Sequence, residues 1–304
     1  MSEIIKNRSE IVFLYDIKDA NPNGDPLDEN KPRIDEETGI NIVTDVRLKR
    51  TIRDYLMNFK NEEIFIREIR NEEGKLKTKE DRLNDLKIES PKELLNKCID
   101  IRLFGATTAI KNKTITFTGP VQFNFGRSLN KVNLTFIKGT TVMPSREAKG
   151  QGTFTGMYIL PYSLISFYGI VNENAAQHTQ LSEDDISVLL EGIWNGTKNL
   201  ISRSKAGQMP RLLLKVNYKE ENYHLGDLDK LIKIKDIENI AEEKIRDIGD
   251  IELDASELVE ILNSNEEKIE SIDLKIDERL KINMEGLDTS IKINSLSLIH
   301  ISEP

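Results

Sequence analysis

Residues 10–20, EIVFLYDIKDA, are apolar and β-branched at most positions, which predicts a central strand. A turn-rich connection, NPNGDPLDENKPRIDEETG, follows it. Leu48, Ile52, Tyr55 and Leu56 then recur at i, i+4, i+7 and i+8, the apolar stripe of a helix over Thr44–Leu56, TDVRLKRTIRDYL. Thr44 stands where an N-cap belongs. Residues 60–100 are rich in Lys, Glu and Asn with weak helical periodicity, and read as a helical insertion. Residues 101–127 read as strands broken at Gly105 and at Gly119-Pro120. Residues 132–161 pair as a long hairpin, VNLTFIKGTTVM and TFTGMYILP around the tip PSREAKGQG. YSLISFYGIVN is a further strand, and SEDDISVLLEGIWNGTKNLI is an amphipathic helix capped by Ser182, with acids in its first turn. RLLLKVNY returns as a strand, after which Ile alternates with Lys, Glu and Asp in short elements. No repeat of the solenoid kind is visible. The pattern is that of an α+β protein with excursions from a strand–helix–strand core.

At 304 residues the chain has room for a full core, as one large domain with insertions or two smaller ones. Hydrophobic residues make up 38% and charged residues 31%, a very polar globular composition. MSEIIKNRSE lacks the apolar run of a signal peptide and no long apolar segment follows, so the expectation is a cytoplasmic protein with no membrane partner. The single Cys98 rules out an intrachain disulfide and fits a reducing compartment.

Charge is uneven. The formal net charge is −9, yet residues 225–304 carry 10 Lys/Arg against 21 Asp/Glu, and residues 101–170 carry 8 cations and one acid, Glu147. A basic middle beside an acidic end points to polyanion binding by the middle. Four cations, Arg47, Lys49, Arg50 and Arg53, crowd one helix, whose N-terminal N–H groups themselves favour a phosphate. With Arg127, Arg146, Lys149, Arg203 and Lys205 they form a distributed constellation at strand ends, a helix start and a hairpin tip. Such a surface suits a single-stranded backbone, with apolar side chains against the base faces. Met143, beside the hairpin tip, stands where a wedge between bases would.

Catalytic readings find less support. Asp16, Asp19, Asp25 and Asp45 lie close in sequence, and paired carboxylates hold Mg²⁺ beside phosphodiesters. Asp19 to Asp28, however, run through an Asn/Pro/Gly-rich stretch where Asp makes Asx turns. His178, His224 and His300 are scattered, and no P-loop, dinucleotide glycine pattern or G-x-S-x-G motif occurs. The expectation is therefore a non-enzyme without metal or cofactor. The competing expectations are a metal-dependent endoribonuclease using Asp25 or Asp45, and a lone RNA chaperone.

EIVFLYDIKDANPNGDP, PRIDEETGINIVTDVRLKRTIRDYL, FGATTA, FTGPVQFNFGRS and YILPYSL occur in the order seen in the backbone subunit of type I CRISPR Cascade. The chain resembles that family over roughly residues 8–218, closest to its type I-B and I-C branch. The resemblance implies an RRM-like (ferredoxin-like) palm from 1–59 and 101–224, a helical finger at 60–100 and a thumb hairpin at 132–161. Residues 225–304 would complete the palm or contact neighbours. It also implies a crRNA-binding, type I-B subunit that polymerises along its guide, joins other Cascade subunits and presents the guide to target DNA. The basic helix, Thr44, Arg47, Lys49, Arg50 and Arg53, would grip the guide backbone. The thumb, with Met143, Arg146 and Lys149, would displace bases. Gln122 and Asn124 would contact RNA on the sheet, and RSKAGQM resembles a basic loop of that branch. The aromatic signature of an RRM is not recognisable.

Overall fold

A computed structural model describes residues 3–110, 113–140, 154–235, 241–288 and 290–296. Strand β1 (Ser9–Ala20) leads into the short strands β2 (Gly24–Asp25), β3 (Lys31–Asp35) and β4 (Ile40–Val43), and then helix α1 (Asp45–Lys60). Helices α2 (Lys79–Asp85), α3 (Pro91–Lys97) and α4 (Ile99–Phe104) are followed by the hairpin of β5 (Gly105–Ile110) and β6 (Lys113–Thr118). Next come β7 (Val121–Phe123), β8 (Gly126–Lys131), β9 (Thr135–Thr140) and the long β10 (Phe154–Val171). Helices α5 (Glu173–Thr179) and α6 (Glu183–Lys198) precede β11 (Met209–Tyr218). The chain continues through β12 (Lys233–Ile234), β13 (Leu253–Asp254), α7 (Ser256–Ser264), β14 (Ile269–Ile276), β15 (Ile282–Asn283) and β16 (Ile293–Ser295).

The main sheet runs β16-β14-β11-β1-β10-β8-β4-β3-β2, a mixed α+β architecture. β1 is antiparallel to both neighbours, with Phe13 opposite Phe167 of β10 and Leu213 of β11. Its side chains alternate between two cores, because successive residues of a strand point to opposite faces. Ile11, Phe13, Tyr15 and Ile17 join Ile52, Leu56, Leu189 and Ile193 of α1 and α6 on one face. Val12 and Leu14 join Leu228, Leu253, Leu258 and Ile272 of the C-terminal region on the other. Burial on both sides explains why this strand reads as a near-continuous apolar run.

Helices α1 and α6 approach closely at two glycines. A Cβ on Gly192 would stand 3.1 Å from Ile52, and one on Gly196 3.0 Å from Tyr55. Tyr55 also donates to Glu191 of α6 at 2.7 Å, and Lys60 pairs with the same carboxylate at 2.7 Å. These contacts set the position of the basic helix on the sheet.

Several elements differ from the pattern reading. Residues 101–104 form the end of α4 rather than a strand, since Ile101 turns into a third small core with Phe65, Leu83, Leu94, Leu95 and Cys98. The β5–β6 hairpin packs there too, through Ile110. The second hairpin arm and the strand after it are one strand, β10, continuous through Pro161. The β1 ladder pairs Lys18 with Tyr162 and Ala20 with Leu160, while Asp19 between them takes φ 50°. A proline without an N–H is accommodated at that irregular position. Phe154–Ile159 pair with β9, off the main strand order of the sheet. Among the described residues no helix is long and apolar enough to cross a membrane.

Gly196→Leu is expected to force α6 from α1 and cost about 2–3 kcal/mol. A fall in thermal midpoint with loss of Tyr55 burial by fluorescence checks this, and an unchanged midpoint would contradict the close approach.

Candidate nucleic-acid interface

Three separate segments converge where β1 ends. The Asn21 N–H donates to the Ser204 carbonyl at 2.8 Å, and Lys205 Nζ donates to the Asn21 carbonyl at 3.2 Å. Asn23 Oδ1 accepts from both the backbone N–H and the hydroxyl of Thr44, at 2.9 and 2.8 Å. Thr44 does occupy the N-cap position of α1, but its own side chain makes no cap bond and is held by Asn23 instead. Arg33 secures the turn by donating to the Asn23 and Gly24 carbonyls, at 3.0 and 2.7 Å. The NPNGDP turn thus joins the start of α1 to the loop at 203–208.

At this junction the charge of Arg47 acts on Lys205. Arg47 Nη2 donates to Thr51 Oγ1 at 2.9 Å. Burial holds its guanidinium below the ordinary range, with Asp54 pulling the other way. Burial, and then the neighbouring Arg47 charge, lower the Lys205 ammonium from its usual 10.5. Among the described residues neither cation has a carboxylate within ion-pair distance. The Gln208 amide nitrogen and the Asn21 side-chain oxygen, in residues 5% and 1% exposed, are buried nearby in the chain with no hydrogen-bond partner among the described residues. Two part-buried like charges with no bonded carboxylate among the described residues are unfavourable, and an anion relieves that cost.

The other cations of α1 are differently placed. Lys49 Nζ lies 3.0 Å from Asp45 and donates to Gln122 Oε1 at 3.0 Å. Arg53 pairs at 3.0 Å with Asp100, whose side chain is fully buried and also accepts the Phe65 and Ile66 N–H groups. Both cations sit over the Phe104 ring, at 5.7 and 4.9 Å. Arg50 is half-exposed and pairs with Asp54 at 2.8 Å. Arg127 is exposed, 3.8 Å from Asp35, and Arg203 is exposed, with no ion pair among the described residues. Gln122 and Asn124 are exposed at β7, beside the exposed Phe125. Met143, Arg146 and Lys149 lie outside the described residues.

Sequence reasoning missed Asn21, Asn23, Gln208 and Phe125. The two asparagines carried a signal, but as turn formers. Phe125 was concealed because V-Q-F-N-F alternation suggests burial, whereas the chain turns after Phe123 to start β8.

The acidic candidates are engaged elsewhere. Asp25 accepts the Leu27 N–H at 3.0 Å and lies 3.6 Å from Arg33, while Asp45 belongs to Lys49. Asp16 is buried between Arg211 and Tyr162, at 3.0 and 3.1 Å. No group of three His, Cys, Asp or Glu suited to a metal occurs among the described residues. Burial pushes the Cys98 thiol up to about 12, which suppresses the nucleophilic thiolate.

Arg53→Ala should strand the Asp100 carboxylate and cost about 3 kcal/mol, whereas Arg50→Ala should change stability by less than about 1 kcal/mol. Urea denaturation compares them, and equal costs would refute a structural role for Arg53.

The family described as "CRISPR-associated protein Cas7" matches residues 7–256. A curated Haloferax volcanii protein described as "CRISPR-associated protein Cas7" is 34% identical over 310 residues, covering 91% of this chain and 89% of that protein. Two solved chains share the fold at low identity. One is described as "CRISPR RNA-guided surveillance complex, pre-nicking" (TM-score 0.59, 10% identity, 96% of this chain and 97% of that chain). The other is described as "CRISPR RNA-guided surveillance complex" (TM-score 0.55, 13% identity, 96% of each). With the family matched over most of its length and by a close relative, the chain belongs to the CRISPR-associated Cas7 family.

Proposed function

We propose that this protein is a crRNA-binding backbone subunit of a CRISPR RNA-guided surveillance complex of type I-B. The observation that carries the reading is the convergence of the 203–208 loop on the start of α1 through Asn21 and Asn23, which brings Lys205 under the charge of Arg47 with no acid bonded to either among the described residues. Phosphates supply the missing counter-charge. Such contacts position a strand without reading its bases, as a subunit serving variable guides must do. Arg203 and Arg127 extend the cationic path, and Phe125 offers a ring to an unstacked base. Lys49 and Arg53 support the site by fixing α1 to β7 and to the insertion.

The strand order β11-β1-β10-β8, with α1 and α6 packed on one face, supports assigning an RRM-like palm. The segment with its own core between α1 and β7 is the finger, and β9 with the first part of β10 is the base of the thumb. Copies pack head to tail along the guide, since heterologous contacts continue as a helix until other subunits cap them. The complex works in the cytoplasm, presents the guide to target DNA and leaves cutting to other proteins.

Arg47→Glu combined with Lys205→Glu should reduce co-purified RNA at least about tenfold with an unchanged circular dichroism spectrum. Retained RNA would place the guide elsewhere. The same preparations incubated with Mg²⁺ should leave RNA intact. Cleavage abolished by Asp25→Ala or Asp45→Ala would instead establish the endoribonuclease reading.

A bound phosphate stabilises the Lys205 ammonium, so its pKa rises on binding from a free value below 10.5. Binding therefore takes up a proton above the free pKa, and affinity falls as pH rises through it. Fluorescence anisotropy should show this fall in the native protein and lose it in Lys205→Arg. Parallel curves for the two proteins would contradict the assignment.

A further inference from the structure

A second cationic surface lies on the other flank of α1. At 100° per residue, Arg53 stands about 120° around the helix from Arg47. On that side, α1 and the insertion enclose a cleft of about 410 Å³. Val46, 64% exposed at the start of α1, contributes its apolar lining together with Phe65, Ile66 and Ile69. The cationic lining includes Arg50 and Lys77, each paired at 2.8 Å with a carboxylate, Asp54 and Asp85, and also Arg67 and Lys79, while the one lining acid, Glu68, is drawn off by Arg70 at 2.7 Å. Arg67 bonds to the Met57 sulfur at 3.1 Å and Lys79 to the Thr107 carbonyl at 2.8 Å. Among the described residues neither is bonded to a carboxylate. Nothing in the guide-gripping junction uses this cleft.

Apolar walls with Arg67 and Lys79 at the rim match one kind of occupant, a nucleotide out of its stack. The base faces meet the aliphatic side chains and the phosphate meets the cations. The basic hairpin of a neighbouring copy fits poorly, because residues 132–161 hold Lys138, Arg146 and Lys149 against only Glu147. The guide is assigned to the flank of Arg47, and a paired target strand has its bases engaged. The strand displaced when a duplex opens has lost its pairing partners. Exchange of a DNA duplex for a guide–DNA hybrid is nearly balanced, so protein contacts to a strand tip it.

We propose that the cleft between α1 and the insertion holds an unpaired base of the DNA strand displaced as the guide pairs with its target, an inference that rests on the guide-RNA reading. Each copy would then trap displaced single-stranded DNA as well as grip guide RNA, on two different flanks of one helix.

The test uses the RNA-loaded complex and a fluorescent single-stranded DNA unrelated to the guide, with an abasic DNA of equal length as control. Arg67→Glu with Lys79→Glu, both exposed positions, should weaken DNA binding at least about tenfold while RNA content stays native. Val46→Asp adds an acid to the first turn of α1, which a helix tolerates. It should abolish the preference for base-containing over abasic DNA. Unchanged DNA binding in the rim variant, or equal binding of abasic and normal DNA by the native complex, would overturn the proposal. Loss of RNA in the rim variant would also overturn it, by assigning the cleft to the guide. Failure of the guide-RNA reading shows separately, as RNA retained by the Arg47→Glu/Lys205→Glu variant.

Discussion

The whole arrangement depends on β1 being buried on both faces. One twelve-residue strand supplies side chains to two cores, so the helical layer and the C-terminal region are tied through its backbone. Its polar residues are placed to survive this. Glu10, fully buried, accepts the hydroxyls of Tyr168 and Tyr218 and the N–H groups of Leu225 and Gly226. Asp16 is raised by burial and drawn back by Arg211, which also holds Asp277. Buried carboxylates with these partners are tolerable only in one register. β1 therefore ends at a defined place, and the NPNGDP turn begins there.

From that end, electrostatics divides the cations of α1 into two kinds. Where the helix meets β7 and the insertion, each charge has a nearby acid: Asp45 for Lys49 and Asp100 for Arg53. Opposite charges about 3 Å apart largely cancel at a distance, so these residues stabilise structure more than they attract a ligand. Where the helix meets the 203–208 loop, Arg47 and Lys205 repel each other instead. A fold keeps such an arrangement when ligand binding offsets its cost. An acidic protein thereby presents a basic spot.

The insertion adds a small independent core and a second use for the same helix. Asp100 clamps it to Arg53 while accepting two backbone N–H groups, which fixes the orientation of the segment beyond α1. That orientation leaves Val46 and Arg50 lining a cleft that is open to solvent. The two flanks of α1 thus differ in chemistry although they share one short basic sequence.

Local pattern alone determined the central strand, the basic helix with its buried stripe, the Ser182-capped helix α6 and the returning strand β11. In each, periodicity and capping agree with the tertiary environment. The run of cations was equally plain, and the resemblance to the Cascade backbone rested on ordered motifs. Pattern could not say which cation is free, because pairing depends on residues such as Asp100 and Lys205, far away in sequence. It read Ile101–Phe104 as a strand because short apolar runs suit either structure until a third core selects the helix. It divided β10 at Pro161, since a proline reads as a break unless the neighbouring strand is irregular at that point. Periodicity is a local property and survives in the sequence, whereas charge compensation is a property of distances, which only the folded chain possesses.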